Sequence, residues 1–113
     1  MPAFLLTHWA RDRKHGIPLE RVVQMQARDT ARFIGLRDRG TIEVGMRADL
    51  NVVDLPRLAL RRPVMQRDLP AGGKRLVQRA EGFVATVVAG VPIAEHGALT
   101  GARPGQLVRM GGA

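Results

Sequence analysis

The side chains of this chain able to grip a transition metal are three histidines, His8, His15 and His96, together with ten carboxylates, because cysteine is absent. A zinc or similar site needs three or four such groups converging, and helices supply them at fixed short spacings. His8 and His15 are seven apart, so a helix would place them on one face. However, Gly16 and the charged run Arg11-Asp12-Arg13-Lys14 leave His15 at a fraying end. No His-x-His or His-x-x-x-His pair occurs, and ordinary surface or packed histidines account for all three.

Among the acids, Asp49 draws attention as a lone carboxylate opening an apolar run. An acid in that position more often accepts backbone N–H groups of the adjoining turn than performs catalysis, and that is the reading preferred here. Asp12, Asp29 and Asp38 stand beside arginines and read as surface ion pairs worth well under about 1 kcal/mol. The pairs Gly72-Gly73 and Gly111-Gly112 precede no Gly-Lys-Ser/Thr and no helix start, so they are turn residues rather than a phosphate cradle. No residue is assigned a catalytic, cofactor-binding or metal-ligating role on these grounds.

The elements that would position these groups fall into two kinds. Phe4, Leu5, His8, Trp9 and Asp12 recur at helical spacing over residues 4–14, with Gly16 as the stop. Pro18 suits the first turn of a second helix and Glu20 faces the positive end of its macrodipole. Leu19, Val22, Val23, Ala27, Thr30, Phe33 and Ile34 form its apolar stripe, and Gly35 ends it. After Gly40 the segments become short, β-branched and glycine-punctuated. Strands are expected at Thr41–Val44, Leu50–Leu55, Val64–Asp68, Arg75–Ala80, Val84–Ala89, Val91–Ala94 and Gln106–Met110. A turn falls at Leu69–Gly73 and a hairpin at Gly90, with Pro92 confined to an edge because it cannot donate to a ladder.

Composition narrows the possible roles. The 113 residues allow one modest domain or part of one, and 45% are apolar but only 4% aromatic, so the core must rest on aliphatic side chains. The net charge of +8 hints at an anionic partner. The arginines are dispersed among acids from Arg11 to Arg109, though, and no RNP pattern, zinc-finger spacing or aromatic platform accompanies them, so nucleic-acid binding is disfavoured. No apolar run approaches the ~20 residues that cross a bilayer, and no signal sequence is evident; a cytoplasmic protein without membrane contact is expected. Two helices cannot cover four to six strands, nor can those strands close a sandwich alone.

The stretch Gly40–Asp54, with glycines at Gly40 and Gly45 and then Ala48-Asp49-Leu50 entering a β run, resembles the passage with which amidohydrolases leave their barrel and return to a small β-sandwich. Thr30–Arg39 resembles the end of the last barrel helix. More narrowly, Phe4–Arg13, Leu69–Gly82, Val87–Gly90 and Thr100–Gly105 resemble the N-acyl-D-amino-acid deacylases, or D-aminoacylases. Together these blocks cover nearly the whole chain.

The resemblance implies an α+β arrangement: two N-terminal helices closing a TIM-like barrel (residues 1–39), then short strands of a small β-sandwich domain (residues 40–113). It implies a longer enzyme that hydrolyses an N-acyl-D-amino acid to a carboxylate and a D-amino acid. Zinc would be held by histidines, a cysteine or a carboxylate, and an aspartate would act as general acid/base. That aspartate would precede Met1 and the histidines would lie far upstream, so this chain is expected to be an inactive scaffold with no cofactor of its own. Thr7, His8 and Trp9 would lie near the substrate pocket by position; a Trp packed between barrel helices is the simpler alternative. The rival expectation is a free-standing binding or assembly module that forms a homo-oligomer, or binds a partner, through exposed apolar surface.

Overall fold

The computed structural model describes residues 2–109. Helix α1 (2–12) opens as an α-turn over Pro2–Phe4 and continues with i→i+5 π bonding over Leu5–Asp12. The Arg13 N–H donates to the His8 carbonyl at 3.0 Å. Gly16 turns the chain as expected, and the reason is space: a Cβ there would sit 2.1 Å from the Trp9 carbonyl oxygen. Helix α2 (19–33) is α over Leu19–Gln24, π over Met25–Asp29 and α again over Thr30–Phe33. Pro18 is the residue before its first turn rather than within it, its carbonyl accepting from the N–H groups of Arg21 and Val22.

The π stretch in α2 defeats the expected stripe. Val22 is wholly buried, but Ala27 is exposed, Phe33 is 90% exposed and Val23 and Ile34 are about half bare, while Ala31, off the stripe, is buried. A bond to i+5 takes in about one more residue than an α-turn, so every position beyond Gln24 rotates away from a 3.6-residue periodicity.

The strand expected at Thr41–Val44 does not form. Ile42 is 88% exposed, Val44 stands fully in solvent, and the Met46 N–H closes a turn onto the Glu43 carbonyl. β-branched residues favour a pleated surface only where a neighbouring strand offers a ladder, and none lies alongside.

Among the described residues eight antiparallel strands follow: β1 Leu50–Val53, β2 Ala59–Leu60, β3 Val64–Gln66, β4 Arg75–Val77, β5 Ala80–Glu81, β6 Phe83–Val88, β7 Val91–Glu95 and β8 Ala98–Leu99. A four-stranded sheet runs β1-β6-β7-β8, with β6 paired on both sides and β1 open along its outer side. Ala89 and Gly90, both at positive φ, turn β6 into β7. Pro92 keeps the edge environment expected of it: β8 pairs only with Ala94 and Glu95, so Pro92 has a ladder neighbour on the β6 side alone. The β6–β7 register slips by one residue beside it, and its carbonyl accepts from the Thr100 hydroxyl at 2.8 Å.

The pairs β2–β5 and β3–β4 continue one another as a long hairpin whose tip is the anticipated turn, a 3₁₀ turn at Pro70–Gly72. β8 was not foreseen; residues 106–109 form no strand, and Met110 lies outside the described residues.

The architecture is α+β with open sheets, and among the described residues no second layer covers them. Ala3, Val22, Ala31 and Leu58 are the buried apolar residues, joined by Thr7. The accessible surface is 8926 Å² for a mass of 12.4 kDa, whereas a compact monomer of that mass exposes about 6,100 Å². The radius of gyration, 16.2 Å, likewise exceeds the roughly 13 Å of a compact chain of this length.

Leu58, only 1% exposed, is where the hairpin meets the body. Gly82 lies against it at φ +95°, and a Cβ there would fall 2.6 Å from the Leu58 Cα. Gly82→Ala should therefore lower stability by about 2 kcal/mol or more. Gly97→Ala, also at positive φ but facing open space, should cost only the backbone strain, about 1 kcal/mol. Paired urea melts of the two variants check the ordering.

Candidate functional site

Three places hold the groups singled out in the sequence, and a fourth gathers arginines beside the third, with which it shares Arg39. The first is an aromatic cluster on α1. The His8 ring stacks on Phe4 with centroids 5.0 Å apart and planes within 7°, and meets Trp9 edge-on at 5.3 Å. The Arg13 guanidinium lies 4.3 Å over the Trp9 ring, a cation–π contact. Thr7 is buried and its hydroxyl donates to the Phe4 carbonyl at 3.3 Å, a bond spent on its own helix. Phe4, Leu5 and Trp9 face Gln26 and Thr30 of α2 across a shallow open groove, so Trp9 is half-buried between helices.

The second place is the cleft beside β5 and β6, lined by Asp54, Arg57, Glu81 and His96. Asp54 caps the 3₁₀ turn Leu55–Arg57 by accepting from the Arg57 N–H, and Glu81 pairs with Arg61. His96, at φ 47°, turns β7 into β8. His15 is exposed in the loop between the helices. Among the described residues no three or more histidines and carboxylates converge as a metal site. The residues present therefore do not fit the zinc that the resemblance implies, and no chemistry is derived through it.

The third place is Asp49. One carboxylate oxygen accepts from the Ala89 N–H at 2.8 Å and the other from Arg39 at 3.1 Å. Arg47 Nε lies 3.4 Å from Oδ1 as an ion-pair contact without hydrogen-bond alignment. The Gly90 N–H donates to the neighbouring Ala48 carbonyl at 3.0 Å and the Arg47 N–H to the Asp38 carbonyl at 2.7 Å. Both carboxylate oxygens are thus committed to holding the β6–β7 turn against the segment that leaves α2, which is the structural role preferred from sequence. Arg39 and Arg47 were not singled out beforehand; their separation of 40 to 50 residues from the turn they help to fix gives no periodic signal.

The fourth is a basic cleft at the end of α2, lined by Arg28, Arg32, Arg37 and Arg39 with Glu43 and Met46.

The remaining carboxylates behave as the arginine-neighbour pattern implied. The Arg11 hydrogen bond holds Asp12 below the usual carboxylate range, Arg39 does so for Asp38 and Arg75 for Asp68. For Asp29 the amide of Gln24 is the main cause, with Arg28 and Arg21 adding to it. All four are solvent-accessible, so each contributes little alone.

A carboxylate whose folded pKa is depressed adds stability above its unfolded pKa and loses it as the pH falls through the folded value. Melting temperature should therefore be level near neutrality and drop below about pH 4. Asp38→Asn should shallow that acid limb, read by thermal melts from pH 7 to pH 2. Asp49→Ala leaves the Ala89 N–H and an Arg39 N–H without their acceptor, removes the ion-pair contact of Arg47, and should cost about 1–3 kcal/mol. Faster amide exchange confined to residues 88–91 would show that the loss acts at the hairpin turn.

No curated protein and no solved structure matches the chain. The model of the amidohydrolase family matches residues 3–94, which spans α1, α2 and the sheet through most of β7. A match of that extent assigns the family: the chain belongs to the amidohydrolase family.

Proposed function

We propose that this chain serves as the C-terminal scaffold of a metal-dependent amidohydrolase that cleaves N-acyl-D-amino acids to a carboxylate and a D-amino acid. On this reading residues 1–39 supply the last helices of the catalytic barrel and residues 40–113 part of the β-sandwich beside it. The groups that bind metal and move the proton belong to the remainder of that enzyme, and its small-molecule substrate would meet those groups rather than the ones present here.

The observation that carries the reading is the surface. About 2,800 Å² is exposed beyond what a compact chain of this mass shows, and it includes Phe33, Ile42, Val44 and Val23 at the end of the helices. Excess surface on that scale, with large apolar side chains in it, is comparable to what obligate interfaces bury. The finer choice of N-acyl-D-amino acids as substrate rests on the blocks Phe4–Arg13 and Leu69–Gly82. Asp49 supports the scaffold role as well, since its carboxylate is already engaged by Ala89 and Arg39.

The second reading, a self-assembling module, draws on the same bare residues and differs in what covers them. Light scattering on the pure chain separates the two, because a self-assembling module forms a defined oligomer.

On the scaffold reading, the purified 113-residue chain should bind zinc no better than a control protein and should show no release of D-amino acid from N-acetyl-D-methionine or N-acetyl-D-glutamate. A longer polypeptide that includes the coding sequence upstream of Met1 should release it in a metal-dependent way. Metal-dependent turnover by the 113-residue chain alone would defeat the scaffold assignment. Turnover of only other amides by the longer polypeptide would defeat the substrate assignment while leaving the scaffold intact.

A further inference from the structure

We propose that the hairpin arm formed by β3 and β4 is a docking element for an acidic protein surface, one that carries carboxylates around an apolar centre. β3 and β4 make their substantial contacts only with each other, so the arm stands off the body with both faces in water. Its register sets Met65 opposite Leu76 on one face, and these are 61% and 65% exposed; Val64, half exposed, lies on the other face opposite Val77. A two-stranded ribbon bare on both faces is marginal in water and is normally covered by something.

Charge states what that cover must be. Arg61 is paired with Glu81 and Arg75 with Asp68, but Arg62, Arg67, Lys74 and Arg79 have no acidic partner among the described residues. Carrying the β3–β4 register one residue toward the tip brings Arg67 opposite Lys74. Like charges directly across a ladder repel, and a facing carboxylate converts that repulsion into attraction. The arm thus presents an apolar centre with cations at its base and tip, the arrangement of an interface core ringed by charge.

Two other occupants fit less well. A second copy of this chain carries the same net charge of +8, and seven of its ten acids are already in ion pairs with its own arginines. Nucleic acid would gain from the cations, but residues 61–79 hold no aromatic on which a base could stack. The exposed Met65 and Leu76 would stay bare against a phosphate backbone.

The test uses the full chain and three labelled probes: a short peptide with glutamates flanking a Leu-Val centre, an all-glutamate peptide of equal charge, and a DNA duplex. Fluorescence anisotropy should show tightest binding to the mixed peptide. That binding should weaken about tenfold in Arg67→Glu/Lys74→Glu and by a similar factor in Met65→Ser/Leu76→Ser. Amide chemical-shift changes on titration should fall within residues 64–77, which keeps the result readable if a variant loosens the arm.

Equal affinity for the all-glutamate peptide would reduce the arm to unspecific charge and overturn the proposal. So would tighter binding of the duplex with a steep salt dependence, or failure of the mixed peptide to bind at all. The outcome is independent of the hydrolase assay, since the arm's contacts do not depend on which amide the family enzyme cleaves.

Discussion

The Arg11 guanidinium, near the end of α1, donates to the carbonyls of Leu55 at 2.7 Å and Leu58 at 2.6 Å, and these are the side-chain bonds that tie a helix to the β half. Asp12 grips the other edge of the same group through both carboxylate oxygens, which fixes the plane of the fork and offsets its charge. The Leu55 carbonyl opens the 3₁₀ turn after β1 and also accepts from the Leu58 N–H at 3.2 Å, and the Leu58 carbonyl lies just past the end of that turn. Leu58 is buried directly beneath, and Gly82 permits β5 and β6 to pass close behind it. Helix, turn, hairpin arm and sheet therefore meet at one charge-assisted joint, and the positions of the other elements follow from it.

A joint of this kind orients elements without burying much. Beyond it the two halves share the Asp49 node, where Arg39, Arg47 and the Ala89 amide meet one carboxylate. Both junctions are polar and directional. They specify geometry, whereas the non-directional gain from burying apolar surface is concentrated at Val22, Ala31, Ala3 and Leu58. The contrast supports the proposed scaffold role, because such a chain fixes its internal angles while leaving many aliphatic residues bare. The aromatic cluster of Phe4, His8 and Trp9 is stacked and oriented, and its charged neighbour, Arg13, is engaged over the Trp9 ring.

The sequence was most legible where a local signal and its physical cause coincide. The strands Leu50–Val53 and Phe83–Val88, the Gly90 hairpin and the Pro70–Gly72 turn all appear within a few residues of expectation, because turn chemistry is local. The apolar stripe of α2 was misleading, since π bonding at Met25–Asp29 is not written in residue type. Thr41–Val44 had strand-forming residues and no neighbour to pair with, a fact that only the tertiary arrangement reveals. Asp49 was recognisable as an acceptor for a turn, yet which turn it serves, 40 residues away, was not. Gly40 and Gly45 together with Ala48-Asp49-Leu50 carried the family resemblance from sequence alone, and the match over residues 3–94 agrees with it at the level of the amidohydrolase family.

Strand β1 runs Leu50-Asn51-Val52-Val53 with its outer row of amides and carbonyls unpaired, and it contains no lysine, no proline and no inward-pointing charge. Native sheets usually blunt such a row with one of those devices. Left as it is, the row is a template for any extended polypeptide, so concentration and timing govern its fate. An extended segment tethered close by would meet that row at a far higher effective concentration than a free chain, so proximity rather than affinity would decide which polypeptide pairs with it.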